Sequence, residues 1–274
     1  MSHDKHVTYI TYLKVDELLE LQKPLSDGPE HDELLFITIH QVYELWFKQI
    51  LHELSALQVS LEKGNSHRSM ALLGRVRNIM KTCVSQLDIL ETMTPLQFNS
   101  FRDRLSSASG FQSAQFRELE AVLGRRDQAG KDADKSSGMG MAEHLAPGSN
   151  ARARVEAAMS RPSLWHSALK YFESRKALPK HVHEHDVATA WTPDEKLQDV
   201  LIWLHVNDPE ASMIGEALVD LDEGLQEWRY RHVKMVERTI GRKMGSGGSS
   251  GAGYLASTLF NPVFPDLWAI RSRF

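Results

Sequence analysis

The sequence predicts an all-α protein, a single domain of long antiparallel helices over residues 1–274, and three observations carry that expectation. Apolar residues recur at steps of three and four along most of the chain, the spacing that keeps one helix face turned inward. Helix punctuation brackets those runs, with Thr94-Pro95, Asp194-Glu195 and Pro209 at starts and Gly64, Gly124 and Gly241 at ends. No alternating run reaches the length of a convincing strand.

Asp16 to Leu21 reads as a short helix, closed by Pro24 and the turn-rich Ser26-Asp27-Gly28-Pro29. The first long helix should begin near Glu30 to Asp32, where acidic residues suit the positive end of the helix dipole, and run to Leu61. A second follows Ser66, with Leu72, Val76, Met80, Cys83 and Leu87 at helical spacing, and the short link between the two predicts antiparallel packing. Thr94-Pro95-Leu96-Gln97 has the pattern of a capping box with proline at the first helical position. Ser106 to Gly110 breaks that helix, and Phe111 to Leu123 forms the next. From 126 to 150 the composition turns polar and glycine-rich, which predicts a mobile surface insertion. Helical patterning resumes over Ala151 to Lys176, Pro179 to Asp186 reads as irregular, and a helix from Asp194-Glu195 extends to Val206. Pro209 opens the last long helix, and Tyr254 to Phe274 predicts a short helix and a closing coil.

A net charge of −4, spread along the chain, resembles neither a nucleic-acid-binding surface nor a membrane anchor. The one cysteine, Cys83, excludes an internal disulfide and fits a reducing compartment. The N-terminus has no signal-like apolar run and no later run spans a bilayer, so a cytoplasmic location is expected.

The last long helix carries an inward seam of Ile214, Leu218, Leu221, Leu225, Trp228, His232, Met235 and Thr239. His232 therefore points inward, where an imidazole must either be hydrogen-bonded or coordinate something. Arg229, Arg231 and Lys234 place basic charge beside it, suited to an anionic group. His40 follows Phe36 by one helical repeat and shares its face, either as a core histidine or as the wall of a pocket. Arg102 follows Phe98 in the same way; it reads as a surface ion pair with Asp103 or Glu118, or as a receptor for a carboxylate. The stretch Gly245 to Gly253 is either a spacer or a loop whose backbone approaches a ligand. His181, His183 and His185 would share one side of an extended segment, as a solvated loop or a metal site. No histidine has a glutamate three positions before it, so the di-iron signature of helical bundles is missing.

Four separated motifs carry a resemblance. His31 to Lys48, HDELLFITIHQVYELWFK, and Glu91 to Arg102, ETMTPLQFNSFR, continuing into SGFQS at 109–113, closely resemble segments of the tryptophan 2,3-dioxygenases. WRYRHV at 228–233 and GSGGSSG at 245–251 resemble that family's proximal-haem motif and substrate-closing loop. The likeness read from these motifs leaves out about 125 to 210.

The resemblance implies an all-helical fold enclosing haem b, with His232 as the axial ligand of the iron and Ser109 and Gly110 against the cofactor. It implies that His40 stands near the indole nitrogen, that Phe36 and Phe98 wall the ring, that Arg102 clamps the carboxylate and that Ser246, where the family usually has threonine, meets the ammonium group. Tyr9 and Tyr12 would reach over the site of a neighbouring subunit within a homotetramer. The reaction implied is ring opening of L-tryptophan by dioxygen to N-formylkynurenine, the entry to the kynurenine pathway. The altered middle segment and Ser246 leave open a haem-dependent monooxygenase of a substituted tryptophan, such as a β-methyl derivative, in secondary metabolism.

Overall fold

The computed structural model describes residues 7–105, 110–126, 140, 142–143, 145–241, 243 and 252–274. In chain order its helices are α1 (Tyr9–Leu13), α2 (Val15–Leu19), α3 (His31–Glu62), α4 (Ser66–Leu90), α5 (Pro95–Arg102), α6 (Ala114–Leu123), α7 (Asn150–Met159), α8 (Leu164–Glu173), α9 (Lys180–His183), α10 (Glu195–Asn207), α11 (Pro209–Ile240), α12 (Ala252–Ser257) and α13 (Pro265–Ala269). There is no strand among the described residues, and no helix there is long and apolar enough to cross a membrane.

The two longest helices, α3 and α11, have 32 residues each, about 48 Å at the α-helical rise. Helix α4 packs between them. Across α3 and α4 the bonded pairs Ser60–Ser69, Glu53–Arg75 and Tyr43–Cys83 step in opposite senses along the two chains, so the helices are antiparallel. Across α4 and α11 the pairs Arg77–Asp220 and Asp88–Arg231 step in the same sense, so α11 is parallel to α4 and antiparallel to α3. Leu54, Leu57, Leu61, Leu73, Leu87, Ile214 and Leu218 are almost wholly excluded from solvent along these contacts.

Local chemistry sets the ends. Asn65 caps α4 by accepting from the Arg68 N–H at 3.0 Å, and Gly64 turns the chain there with φ of +67°, a conformation that disfavours a side chain. Thr94 and Gln97 form the expected reciprocal capping box with Pro95 at the first helical position. Asp208 caps α11, accepting from the N–H groups of Glu210 and Ala211.

Four segments differ from the sequence reading. The short helix expected over Asp16 to Leu21 is α2, and a further short helix, α1, precedes it, separated by Lys14 at φ of +55°. The expected helix over 151–176 is broken between Met159 and Leu164, where Pro162 cannot donate to the helical ladder, and α8 restarts on Ser163. Residues Pro179 to Asp186 contain one helical turn, α9. Of the insertion expected at 126–150, Arg126, Ala142 and Leu145 are buried. The last two pack on Ala121, Val155 and Ala158. Arg126 holds this region by donating to the carbonyls of Val187, Ala121 and Arg161, so a polar composition here conceals a packed joint.

Candidate functional site

A cavity of about 520 Å³ opens between α3 and α11, closed at its ends by α5, α6 and α12. It has the size of a small-molecule site, and most of its wall is aromatic or aliphatic. Phe36, His40, Phe98, Arg102, Gly110 and His232 all line it. Six residues separated by up to 196 positions in sequence are thus brought to one space.

On one side, the His40 and Phe36 rings lie 4.1 Å apart, and Phe98 stands 5.8 Å from Phe36. Nδ1 of His40 lies 2.7 Å from the Phe36 carbonyl, which can only accept; Nδ1 therefore carries the proton and Nε2 offers a lone pair. Burial lowers the His40 pKa, against the opposing pull of the Phe36 carbonyl and of Glu44. The ring exposes surface, yet that surface faces the cavity instead of bulk water, which is why desolvation prevails. Glu44, one turn beyond His40, accepts from Ser113 Oγ at 2.5 Å and Gln115 Nε2 at 2.8 Å, tying α3 to the start of α6.

On the other side, His232 stacks on Trp228 with ring centroids 5.1 Å apart and planes 19° from parallel. Its ring nitrogens have no hydrogen-bond partner among the described residues, although the residue lines the cavity and is deeply desolvated. Burial, with smaller contributions from His40 and Arg117, pushes its pKa down to about 4, so the imidazole is neutral with an available lone pair. A buried polar ring with no partner inside an apolar cavity is the signature of a ligand position.

The basic rim differs from the sequence reading. Only Arg229 of the three cations near the seam faces the cavity. Arg231 pairs instead with Asp88 at 2.7 Å and with Glu91, and Lys234 pairs with Glu237 at 2.8 Å. Sequence reasoning missed the group that Arg229 joins: the buried Glu120 carboxylate meets Arg117 at 2.7 Å, Arg125 at 2.9 Å and Arg229 at 3.4 Å. Burial opposes the charge on Glu120, but the three guanidinium groups outweigh it and hold the pKa down to about 2. The spacing of Arg117 and Glu120 within one helical turn was the available signal.

Tyr9 and Tyr12 are each 76% exposed and do not line this cavity. Ser109 and Ser246 lie outside the described residues. The histidines at 181–185 diverge: His181 meets Asp194 at 2.8 Å, His183 meets Glu173 at 2.9 Å, and His185 packs on Trp191. The helical turn of α9 spreads side chains that an extended segment would have aligned. No group of three metal-binding side chains is found among the described residues.

The family model described as tryptophan 2,3-dioxygenase matches residues 2–198 and 197–274. Proteins named tryptophan 2,3-dioxygenase from Anaeromyxobacter sp. (strain K) and Herpetosiphon aurantiacus are 54% and 53% identical to this chain, over 270 and 267 residues. Those matches cover 98% and 97% of this chain and 97% and 98% of the relatives. A relative of the same name from Caulobacter vibrioides is 41% identical over 273 residues, 97% of this chain and 98% of its own length. These matches run through residues 125 to 210, so the middle segment expected to stand apart aligns with the rest.

Proposed function

The chain belongs to the tryptophan 2,3-dioxygenase family, and from that premise we propose that it opens the indole ring of L-tryptophan with dioxygen to give N-formylkynurenine, using haem b. The observation that carries this reading is the pairing of two histidines held neutral by desolvation, His40 on α3 and His232 on α11, in one cavity that Arg102 also lines.

The residues present fit a porphyrin. His232, with an unengaged imidazole lone pair, would hold the iron, the apolar walls would suit the macrocycle, and the guanidinium groups of Arg117, Arg125 and Arg229 would suit its carboxylates. Gly110, with open space around its Cα, and Ser109 would lie against the cofactor. Ferrous haem, when bound, supplies the site where dioxygen is activated.

The chain's own residues then do the positioning. Phe36 and Phe98 wall the indole ring, and Nε2 of His40 accepts the indole N–H. Arg102 takes the substrate carboxylate in a two-bond fork, and the Ser246 hydroxyl meets the ammonium group. Fixing both charged ends and the ring leaves the C2–C3 bond as the reacting edge, and this loss of freedom is a large share of the rate enhancement. That bond breaks, both oxygen atoms enter the product, and no external reductant is consumed. Tyr9 and Tyr12 close the site of a neighbouring copy, within a cytoplasmic homotetramer of single helical domains.

Single-atom insertion into a substituted tryptophan loses its main support, because the middle segment aligns with the dioxygenases. Product mass after turnover in labelled dioxygen tests the reaction: two labelled atoms in a ring-opened product are expected, and one labelled atom in an intact ring overturns it. His232→Ala should fold yet fail to retain hemin; a variant with the unchanged haem spectrum would remove His232 from the iron.

A further inference from the structure

Helices α1 and α2, the N-terminal arm, contribute no residue to the core of their own chain. No residue of α1 or α2 is buried, and Tyr9, Ile10, Tyr12 and Leu19 expose between 50% and 76% of their surface. A segment without apolar packing takes its direction from its root.

That root is polar and sits on α3. Glu33, 1% exposed, accepts from the N–H groups of Leu25 at 2.7 Å and Ser26 at 3.0 Å, and from the Ser26 hydroxyl. The Ser26 oxygen in turn accepts from the Glu30 N–H at 2.9 Å. In an ordinary capping box, a glutamate at the third helical position bonds back to the N-cap amide. Glu33 occupies that position but leaves the Glu30 amide to Ser26 and grips the loop instead. Eight residues on, Gln41 makes a second clasp: its amide donates to the Leu21 carbonyl at 3.1 Å and accepts from the Gln22 amide at 2.5 Å. Both clasps sit on the helix that carries Phe36 and His40, so arm and pocket wall share one support. The nearby contact of Arg104 with Asp27 at 3.7 Å links the same loop to the turn that follows Arg102.

We propose that Glu33 is a positioning residue for the substrate site, fixing the path of residues 20–30 and thereby aiming the Tyr9–Tyr12 arm at the cavity of a second copy. The proposal rests on the reading that Tyr9 and Tyr12 complete a neighbouring site. Its consequence is specific: loss of the Glu33 clasp should act only through the arm.

A double-mutant cycle on the full-length, haem-loaded protein tests this, with Glu33→Gln, the pair Tyr9→Ala and Tyr12→Ala, and their combination. Glu33→Gln and the tyrosine pair should each raise KM for L-tryptophan by about three- to tenfold, the scale of a lost polar contact, with kcat little changed. The combination should raise it no further than the tyrosine pair alone. Amide exchange at Leu25 and Ser26 should quicken in Glu33→Gln. Ser26→Ala removes a donor from the loop side and should follow the same pattern more weakly, which carries the test if Glu33→Gln fails to fold. Multiplying fold-changes, or an unchanged KM in Glu33→Gln beside a raised one in the tyrosine pair, would overturn the clasp and leave the arm reading intact. An unchanged KM in the tyrosine pair would sink the arm reading and the clasp with it.

Discussion

Nδ1 of His40 donates to the carbonyl of Phe36 one turn earlier, at 2.7 Å, and this bond decides which ring nitrogen faces the cavity as an acceptor. Burial depresses the His40 pKa below its ordinary value, so Nε2 stays unprotonated at neutral pH and becomes a donor only in acid. An indole N–H needs an acceptor. Turnover with L-tryptophan should therefore be flat in kcat/KM above about pH 6.5 and fall only below it. His40→Ala should lower kcat/KM by about three- to tenfold, the scale of one hydrogen bond, and remove this acid limb. A limb that survives in the variant would belong to another group.

Arg102 stands one helical repeat after Phe98, so the guanidinium proposed to meet a carboxylate and the ring proposed to wall the indole are set by the same turn of α5. Arg102→Ala should weaken L-tryptophan binding by about 2 to 5 kcal/mol where the charge pair is desolvated. Arg102→Lys should restore only part of it, since an ammonium group lacks the planar fork. Tryptamine, which has no carboxylate, should bind wild type and Arg102→Ala equally in a spectral titration. A matching loss for tryptamine would mean that Arg102 holds the pocket's shape instead.

The seam through His232 was legible because its period spans the whole helix, and the cap at Thr94 because each of its bonds is local. The joint around Arg126 was not. Its acceptors are carbonyls of Val187, Ala121 and Arg161, and backbone groups leave no trace in side-chain patterning. Arg231 looked like part of the site for a different reason: two positions from Arg229 is about 200° around a helix, enough to turn it from the cavity to Asp88 on α4. Which of two nearby arginines faces inward depends on the neighbour that packs there, and that is a tertiary fact.

Glu120 is 3% exposed and meets three guanidinium groups, so removing its charge strands cations at the cavity wall. Glu120→Gln should destabilise the fold by about 3 to 5 kcal/mol, the cost of breaking a buried ion pair from one side. The folded carboxyl pKa of about 2 lies below the ordinary value of 4.5. The stabilisation is therefore complete above about pH 4.5 and fades as pH falls toward 2, where the folded carboxylate takes a proton. Denaturant melts of wild type and variant should converge across that window. A gap that stays constant would show that Glu120 contributes through packing, independent of its charge.

His166 makes a second and higher acid limb. Its Nδ1 lies 3.2 Å from the Ser163 N–H and 2.8 Å from the Ser163 hydroxyl; the amide can only donate, so Nδ1 accepts and the neutral ring carries its proton on Nε2. Protonating Nδ1 would set two donors against each other and remove the cap at the start of α8. Burial first, then His185, Arg126 and Lys170, push the His166 pKa down to about 4 from 6.5. Because the unfolded chain binds this proton more readily, stability is full above about pH 6.5 and is lost as pH falls toward 4. His166→Gln keeps an acceptor at the third helical position, as a capping box requires, and cannot titrate. Its urea midpoint should match wild type at pH 7.5 and exceed it at pH 4.5, with the remaining acid sensitivity belonging to other groups. Superimposable profiles from pH 7.5 to 4.5 would mean that the His166 ring reaches solvent and protonates without opening the cap.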